Sequence, residues 1–568
     1  MGLTTALYTA MTGLNANSSV INVAGNNIAN TNTTGFKSSR ADFETQILMN
    51  LGNGTAPTAE NGGTNPTQVG LGVKLSGTTH NFNDGTINLT GLNSDVAVEG
   101  NGFFVADYGG LQKYTRAGNF GLDSEQNLVD ANGGRIQGYG IDDEYNVVAG
   151  VVGNLTIPVG SLTIAESTNN IAFGGNLNGG GEVATMGTIV QSNALYADAG
   201  QVTQADANTP LESIYDASGN QLFADGDVLS IMDVTRGGAS LPDKTFQIGL
   251  INTTESDDNG ATMQDLLDFY EEIFGIDPTV SGGATIVNGQ INIEGHTGTV
   301  NELKITGDNM VVNKDTNPTL PFSFDETQEA NGESVRTSFV AYDSLGQEML
   351  LDLNVVMESK SNAGTTWRFY VQSEDDSDLA RALGNGTIKF DTNGRFLLAT
   401  DTTITMDLEG TGALTPQTIE MTFGEDDNSL SALASTQSTI AATSQDGSPV
   451  GTLEDYYFSE DGVIHGIFSN SLTRDLGQLV LANFVNQDGL VEEAGNLYAT
   501  TAASGTPIIG APGTNGTGRT VGQALELSNV DLSQEFITLI NATTGYSANS
   551  RVFSTSDQLI QQLLQTLG

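Results

Sequence analysis

The sequence predicts a multidomain chain: mainly β outer domains nested by insertion, with an α-helical coiled-coil domain formed by the N- and C-terminal segments. Three observations predict it. The 568 residues exceed what one hydrophobic core can organise. Apolar residues recur every seven positions at both ends, as Leu7, Leu14, Ile21 and Ile28, and as Leu532, Leu539, Tyr546, Phe553, Ile560 and Leu567. Such a repeat puts one apolar side chain on the same helix face every two turns, a seam suited to another helix. Glycine reaches 70 residues in the whole chain, against the roughly 40 of average composition, and between the ends short alternating runs are broken by turns about every ten residues.

The N-terminal helix is predicted over residues 3–30, with Leu3, Ala10, Met11 and Ala24 joining its seam. It carries no charge, since the chain's first charged residue is Lys37, and 12 of residues 4–30 are Asn, Ser or Thr, with Gly13 and Gly25 inside. At ~0.5 kcal/mol per weak helix former and ~1 per glycine, propensity opposes this helix by about 8 kcal/mol relative to alanine. Burying each Leu or Ile returns ~1.5–3 kcal/mol, so the helix is expected to form against a partner and not alone.

The C-terminal helix, 531–567, is the stronger one. Asn529 or Asp531 caps it, Glu535 opposes the dipole in its first turn, and Gly545 marks a local weakness. The interior reads as strands, including TSFVAYDSLG and EMLLDLNVVM within 323–357, with Asn132–Gly133 as a type I′ hairpin turn. Residues 50–70 read as a linker or extended loop. One interior helix is predicted within 259–275, its apolar face Met263, Leu266, Leu267, Tyr270, Ile273 and Phe274, with Gly275 at its C-cap.

Composition excludes several functions. The net charge of −49, from 19 basic and 68 acidic residues, opposes nucleic acid and anionic membranes as partners. No cysteine is present, which removes disulfides, thiolate metal sites and thiol nucleophiles. No apolar run reaches the ~18 residues of a membrane span, so no membrane insertion is expected. The N-terminus has no basic, apolar signal sequence, so export would use another route, without a cleaved signal peptide. His80, His296 and His465 form no ligand-like pattern, and no hydrolase or nucleotide-binding motif occurs. The acidic runs Glu255–Asp258 and Glu374–Asp376 with Asp378 lack calcium-loop spacing. The expectation is a protein that is not an enzyme and that has no catalytic residue, cofactor or metal.

Residues Gly25, Asn26, Asn27, Ile28, Ala29, Asn30, Thr34, Gly35, Phe36 and Lys37, within GNNIANTNTTGFK, resemble the N-terminal signature of the bacterial flagellar rod and hook axial protein family. VEGNGFFVADYGG and YTRAGNFGLDSEQNLVDANGGRIQGY resemble that family's β domain. LGQLVLANFVNQDGLVEEAGNLY and LELSNVDLSQEF resemble its C-terminal part, and FVAYDSLGQEM resembles an outer β domain. The chain departs from the family at Ala542–Tyr546, ATTGY, where Gln, Arg and Asn are common before the tyrosine.

The resemblance, with the length and the large middle insertion, implies a structural subunit of the flagellar hook. Such subunits pass through the flagellar type III export apparatus and polymerise outside the cell under a cap into a curved hollow tube. That tube joins rod to filament and carries torque as a universal joint. The implied partners are copies of itself, the rod, the hook cap and the hook–filament junction proteins, at the basal body and hook of the flagellum. A distal rod or junction component is the alternative. The expected division is 1–40 plus 525–568 as the terminal coiled-coil assembly domain, and 41–90 as a linker or extended hairpin. The inner β domain takes 91–160 plus 446–524, an outer β domain 161–200 plus 321–445, and an outermost α+β domain 201–320.

Overall fold

The structure, a computed structural model, describes residues 2–251, 256–313, 316, 318–424, 429–435 and 437–567. These residues are mostly β, with three α-helices: α1 (Leu3–Ala29), α2 (Met263–Ile273) and α3 (Leu532–Leu567). The chain divides into two compact units, one of Met1–Thr163 with Thr452–Gly568, the other of Ile164–Gly451.

In the first unit, strands from both sides of the insertion interleave in one sheet. Its antiparallel order is Val463–Phe468, Thr473–Leu479, Arg135–Ile141, Phe103–Asp107, Gln112–Thr115, Leu497–Ala499 and Val491–Glu493. Phe103 anchors the core, with Phe82, Phe484 and Tyr498 edge-on to it at 5.6, 5.8 and 5.4 Å. Such tilted aromatic pairs match the positive ring edge to the negative face. Two smaller pairs, Val96–Glu99 with Arg519–Gly522 and Ile87–Leu89 with Ala524–Glu526, carry the chain towards α3. A two-stranded ribbon, Ser39–Thr45 with Val73–His80, follows α1. Residues 50–70 are not a plain linker, because Leu48–Gly52 pairs with Thr67–Gly70 as an exposed hairpin.

The turn at Asn132–Gly133 is not type I′, which needs positive φ at both central residues. Only Gly133 has it, at 85°. Asp130 Oδ1 accepts from the backbone N–H of Asn132 (2.9 Å) and of Gly134 (2.8 Å), which holds Asn132 on the ordinary side. Gly545 does not interrupt α3, which runs unbroken to Leu567. Asp531 caps it, Oδ1 accepting from Ser533 N at 2.8 Å, while Asn529 accepts from Ser38 N and donates to Asn81 and Asn83 carbonyls.

Two large hydrophobic cores lie among the described residues of the second unit. A five-stranded antiparallel meander, Ser334–Tyr342, Glu348–Ser361, Gly364–Ser373, Ala382–Phe390 and Phe396–Thr400, packs on the sheet of Thr403–Met406, Gln417–Thr422, Asn170–Asn176 and Thr439–Gln445. Trp367, the sole tryptophan, is fully buried there. The other core gathers residues 190–324 around α2. Thr262 caps α2 in a reciprocal box with Asp265, and Gly275 follows it at φ 61°. The buried face of α2 includes Phe269 as well as the five residues from Met263 to Ile273 that the helical periodicity selects.

Candidate functional site

The N- and C-terminal segments meet in the first unit. α1 and α3 run antiparallel, and three contacts fix their register. A Cβ on Gly13 would lie 2.7 Å from Asn549, a Cβ on Gly545 would lie 2.7 Å from Asn17, and Asn27 Nδ2 donates to Glu535 Oε1 at 2.9 Å. In each pair the two residue numbers add to 562. The centre of the contact is made of small side chains, with Ala10, Ala24, Ala542 and Ser556 buried. Small residues let two helix backbones approach closely.

The predicted seam flanks that line. Leu7, Leu14, Ile21, Ile28, Leu539, Phe553 and Ile560 are half-buried, whereas Leu532 and Tyr546 are 41% and 43% exposed. The side chain of Leu567 lies outside the described residues. The small-residue line has its own seven-residue spacing, Ala10–Asn17–Ala24 and Ala542–Asn549–Ser556; apolar periodicity finds Ala10 and Ala24 and passes over Asn17, Ala542, Asn549 and Ser556. On the faces turned from α1, α3 exposes Phe536, Ile537 and Ile540, with Ile540 61% exposed, and Val552, Leu559 and Leu563 on its C-terminal half are also exposed.

The segment 25–37 joins α1 to the β structure. Gly25, Asn26 and Ala29 are exposed, and Ile28 is half-buried. Asn27 is fully buried, and its amide is used three times: Nδ2 donates to Ser39 O (2.8 Å) and to Glu535, and Oδ1 accepts from Ser39 N (3.0 Å). One side chain thereby ties α1, the ribbon and the first turn of α3. Asn30 closes α1, donating to Asn26 O, and Thr34 O accepts from Asn496 Nδ2 at 2.9 Å. Gly35 turns the chain at φ 68° and donates its N–H to Glu526 O at 2.8 Å. Phe36 and Lys37 then enter the interior.

Lys37 ends in a buried charge cluster. Its Nζ donates to Glu526 Oε1 at 2.6 Å and to Asn83 O at 2.8 Å. Glu526 also accepts from Gly85 N (2.7 Å) and faces Arg116 Nη1 at 3.5 Å. Arg116 donates to Gly100 O at 2.7 Å, lies over the Phe103 ring, and reaches the half-exposed Asp84 at 3.6 Å. The side chains of Lys37, Glu526 and Arg116 are completely buried. Burial, then the like charge of Arg116, lowers the Lys37 pKa, opposed by Glu526. Burial likewise lowers that of Arg116, opposed by Glu526 and Asp84. Sequence reasoning singled out Lys37 but neither Arg116 nor Glu526, whose partners lie hundreds of residues away.

Four family sequence profiles match this chain. The profile described as Flagella basal body rod protein matches residues 7–37, and Flagellar hook protein FlgE/F/G D1 domain matches 97–176. Flagellar basal body protein FlaE D2 domain matches 311–448, and Flagellar basal body rod FlgEFG protein C-terminal matches 521–566. The flagellar hook protein FlgE of Borreliella burgdorferi is 28% identical over 99% of both chains, and that of Escherichia coli is 27% identical over 98% of this chain and 99% of its own. The crystal structure of Helicobacter pylori flagellar hook protein FlgE2 covers 77% of this chain and all of its own at 18% identity and a TM-score of 0.38. The chain belongs to the flagellar hook protein family.

That family is a structural one and not a family of enzymes. The two terminal profile matches are the segments that the α1–α3 contact and the Lys37–Glu526 pair join, 7–37 holding most of α1 and Lys37, and 521–566 holding Glu526 and most of α3. The histidines stand apart from one another. His80 Nδ1 is 3.1 Å from Ser39 Oγ, and His465 Nδ1 is 2.7 Å from Asp475. His296 is buried in the second unit, accepts from Asp277 N at 3.1 Å and stacks on Tyr370 at 4.3 Å. Burial, then Arg236, pushes its pKa down to about 3. Among the described residues no group of three or more His, Asp or Glu could hold a metal. Glu374 pairs with Arg381 and Asp375 accepts from Leu350 N, while Glu255 lies outside the described residues. No described helix is long and apolar enough to cross a membrane.

Proposed function

We propose that this chain is the structural subunit of the bacterial flagellar hook, and that its copies polymerise through the α1–α3 pair. The observation that carries this reading is an uncovered apolar patch on α3: one face lies against α1, while Phe536, Ile537 and Ile540, within one turn and a half on another face, stand in solvent. Leaving large apolar side chains exposed forgoes ~1.5–3 kcal/mol each, and a cluster of three at the start of α3 marks an interaction surface. Copies of the same helix pair supply a cover of matching chemistry. The terminal pairs then form an α-helical coiled-coil inner layer, and the β domains lie outside it.

On this reading the product is a curved hollow tube that joins rod to filament and transmits torque while bending. Its further partners are the rod, the hook cap, the junction proteins and the type III export apparatus. Helices of low propensity suit that route, since they stay unfolded until a partner arrives. The test is polymerisation of the purified chain, followed by sedimentation and electron microscopy. The full chain is expected to form tubes of indefinite length, and a chain without residues 533–568 to form none while its β domains stay folded. Tubes from the truncated chain, or only discrete capped rings from the full one, refute the reading.

A further inference from the structure

The apolar seven-residue repeats leave the register of α1 against α3 undetermined, because a slip of seven residues sets each large apolar residue against the next equivalent one. The glycines break that degeneracy. Glycine is the poorest helix former after proline, yet Gly13 and Gly545 lie inside the helices, each opposite an asparagine. The Asn549 amide occupies the space a Cβ of Gly13 would fill, with three of its atoms within 3.0 Å. Asn17 sits against Gly545, its Oδ1 2.7 Å and its Cγ and Nδ2 3.2 Å from the Cβ position, and its Nδ2 is held by donation to Gly13 O at 2.7 Å. The two pairs are reciprocal, since each helix gives one glycine and one asparagine, four residues apart.

The geometry points to Gly13, Asn17, Gly545 and Asn549 as the register-determining residues of the terminal helix pair: two asparagine knobs, each seated on a glycine that only one antiparallel register provides. A slip of seven residues one way sets Asn17 against Val552 and Asn549 against Val20. The other way sets them against Thr538 and Ala6. Every alternative partner carries a Cβ, so the amide must leave its seat. Asn27 loses Glu535 in both slips, and a buried amide without its acceptor is unfavourable. This specificity deepens the assembly reading, because copies can repeat regularly only if each presents the same offset between its two helices.

The absence of cysteine permits a direct test. Ala24 and Thr538 line the same groove and stand opposite in the observed register. In the full chain, Ala24→Cys with Thr538→Cys is expected to form an intrachain disulfide on mild oxidation, read by peptide mass spectrometry in pelleted and soluble protein alike. Adding Gly13→Ala and Gly545→Ala should lower the yield at least tenfold. Adding Asn17→Ala and Asn549→Ala to those should restore it, although the four substitutions remove every polar group at the seats. No disulfide in the parent pair, a yield unchanged by the alanines, or a failure of rescue overturns the inference. Sedimentation of the same samples reports polymerisation separately, so an absent pellet counts against the assembly reading while the disulfide still reports the register.

Discussion

The buried charge cluster makes an asymmetric prediction. Lys37, Arg116 and Glu526 are all fully buried, with two positive charges and one negative, and Asp84 sits at the rim 3.6 Å from Arg116. Glu526→Gln keeps the side-chain shape and an acceptor for Gly85 N–H, but it leaves two buried cations with only the half-exposed Asp84 to oppose them. Removing one partner of a buried pair costs about 3–5 kcal/mol. Lys37→Met removes a charge as well, yet the remainder is a Glu526–Arg116 pair that is neutral overall. Its main loss is the donor to Asn83 O, about 1–3 kcal/mol. The carboxylate is therefore expected to matter more than the lysine, by about 2 kcal/mol, which is roughly thirty-fold in an opening equilibrium. Native-state hydrogen exchange at Val96–Glu99 and Phe103–Asp107 reads this in the first unit, and Trp367 fluorescence in urea serves as an unaffected control in the second. If Lys37→Met opens these strands as much as Glu526→Gln does, the cluster is not held by its single carboxylate and the reasoning fails.

Two further perturbations bear on the fold. Gly35→Ala puts a Cβ on a backbone at φ 68° and within 2.7 Å of the Arg116–Ala117 backbone, which cannot rotate away as a side chain can. It should destabilise the first unit by about 2–4 kcal/mol, and a calorimetric midpoint equal to that of the parent chain would contradict the contact. His296, held neutral when folded with a pKa of about 3 against an ordinary 6.5, gives a pH dependence in the second unit. Between these values the unfolded chain binds the extra proton, so stability is present above pH 6.5 and is lost as pH falls towards 3, amounting to about 2 kcal/mol by pH 5. Urea midpoints followed by Trp367 should drop over this range in the parent chain and less in His296→Gln; equal slopes would remove His296 as the cause.

What was legible in the sequence depended on how local its cause is. The glycine after α2 and the seven-residue repeats at both ends are set by neighbours in the chain, and a local reading finds them. The identity of the residues at the helix contact is not local in this way. Leu7, Leu14 and Ile21 attract attention because apolar bulk is what burial usually selects, and Ala10 and Ala24 join them by spacing, yet the contact of α1 with α3 also rests on Gly13, Ala542 and Gly545, which apolar periodicity does not select. A glycine in a helix reads as a weakness when the partner is unknown, and Gly545 becomes a seat only once Asn17 is placed against it. The departure at Ala542–Tyr546 follows the same logic: Ala542 is buried and Gly545 receives Asn17, so small residues are what this contact can accept there.

The charge cluster was the least legible feature, because Lys37 and Glu526 are separated by nearly the whole chain and neither has an unusual neighbour in sequence. Their placement also explains why the signature ends where it does. Asn27 ties α1 to Ser39 and to α3 through Glu535, and Lys37 fixes the chain just before α3 through Glu526. The same short segment thus holds both the helix pair and the point where α3 leaves the β structure. A force applied along α3 reaches the β structure through these two anchors together with Asn529, which bonds Ser38, Asn81 and Asn83. A subunit that carries load between copies gains from seating that path on a buried amide and a buried ion pair, whose loosening would leave polar groups unsatisfied in the interior.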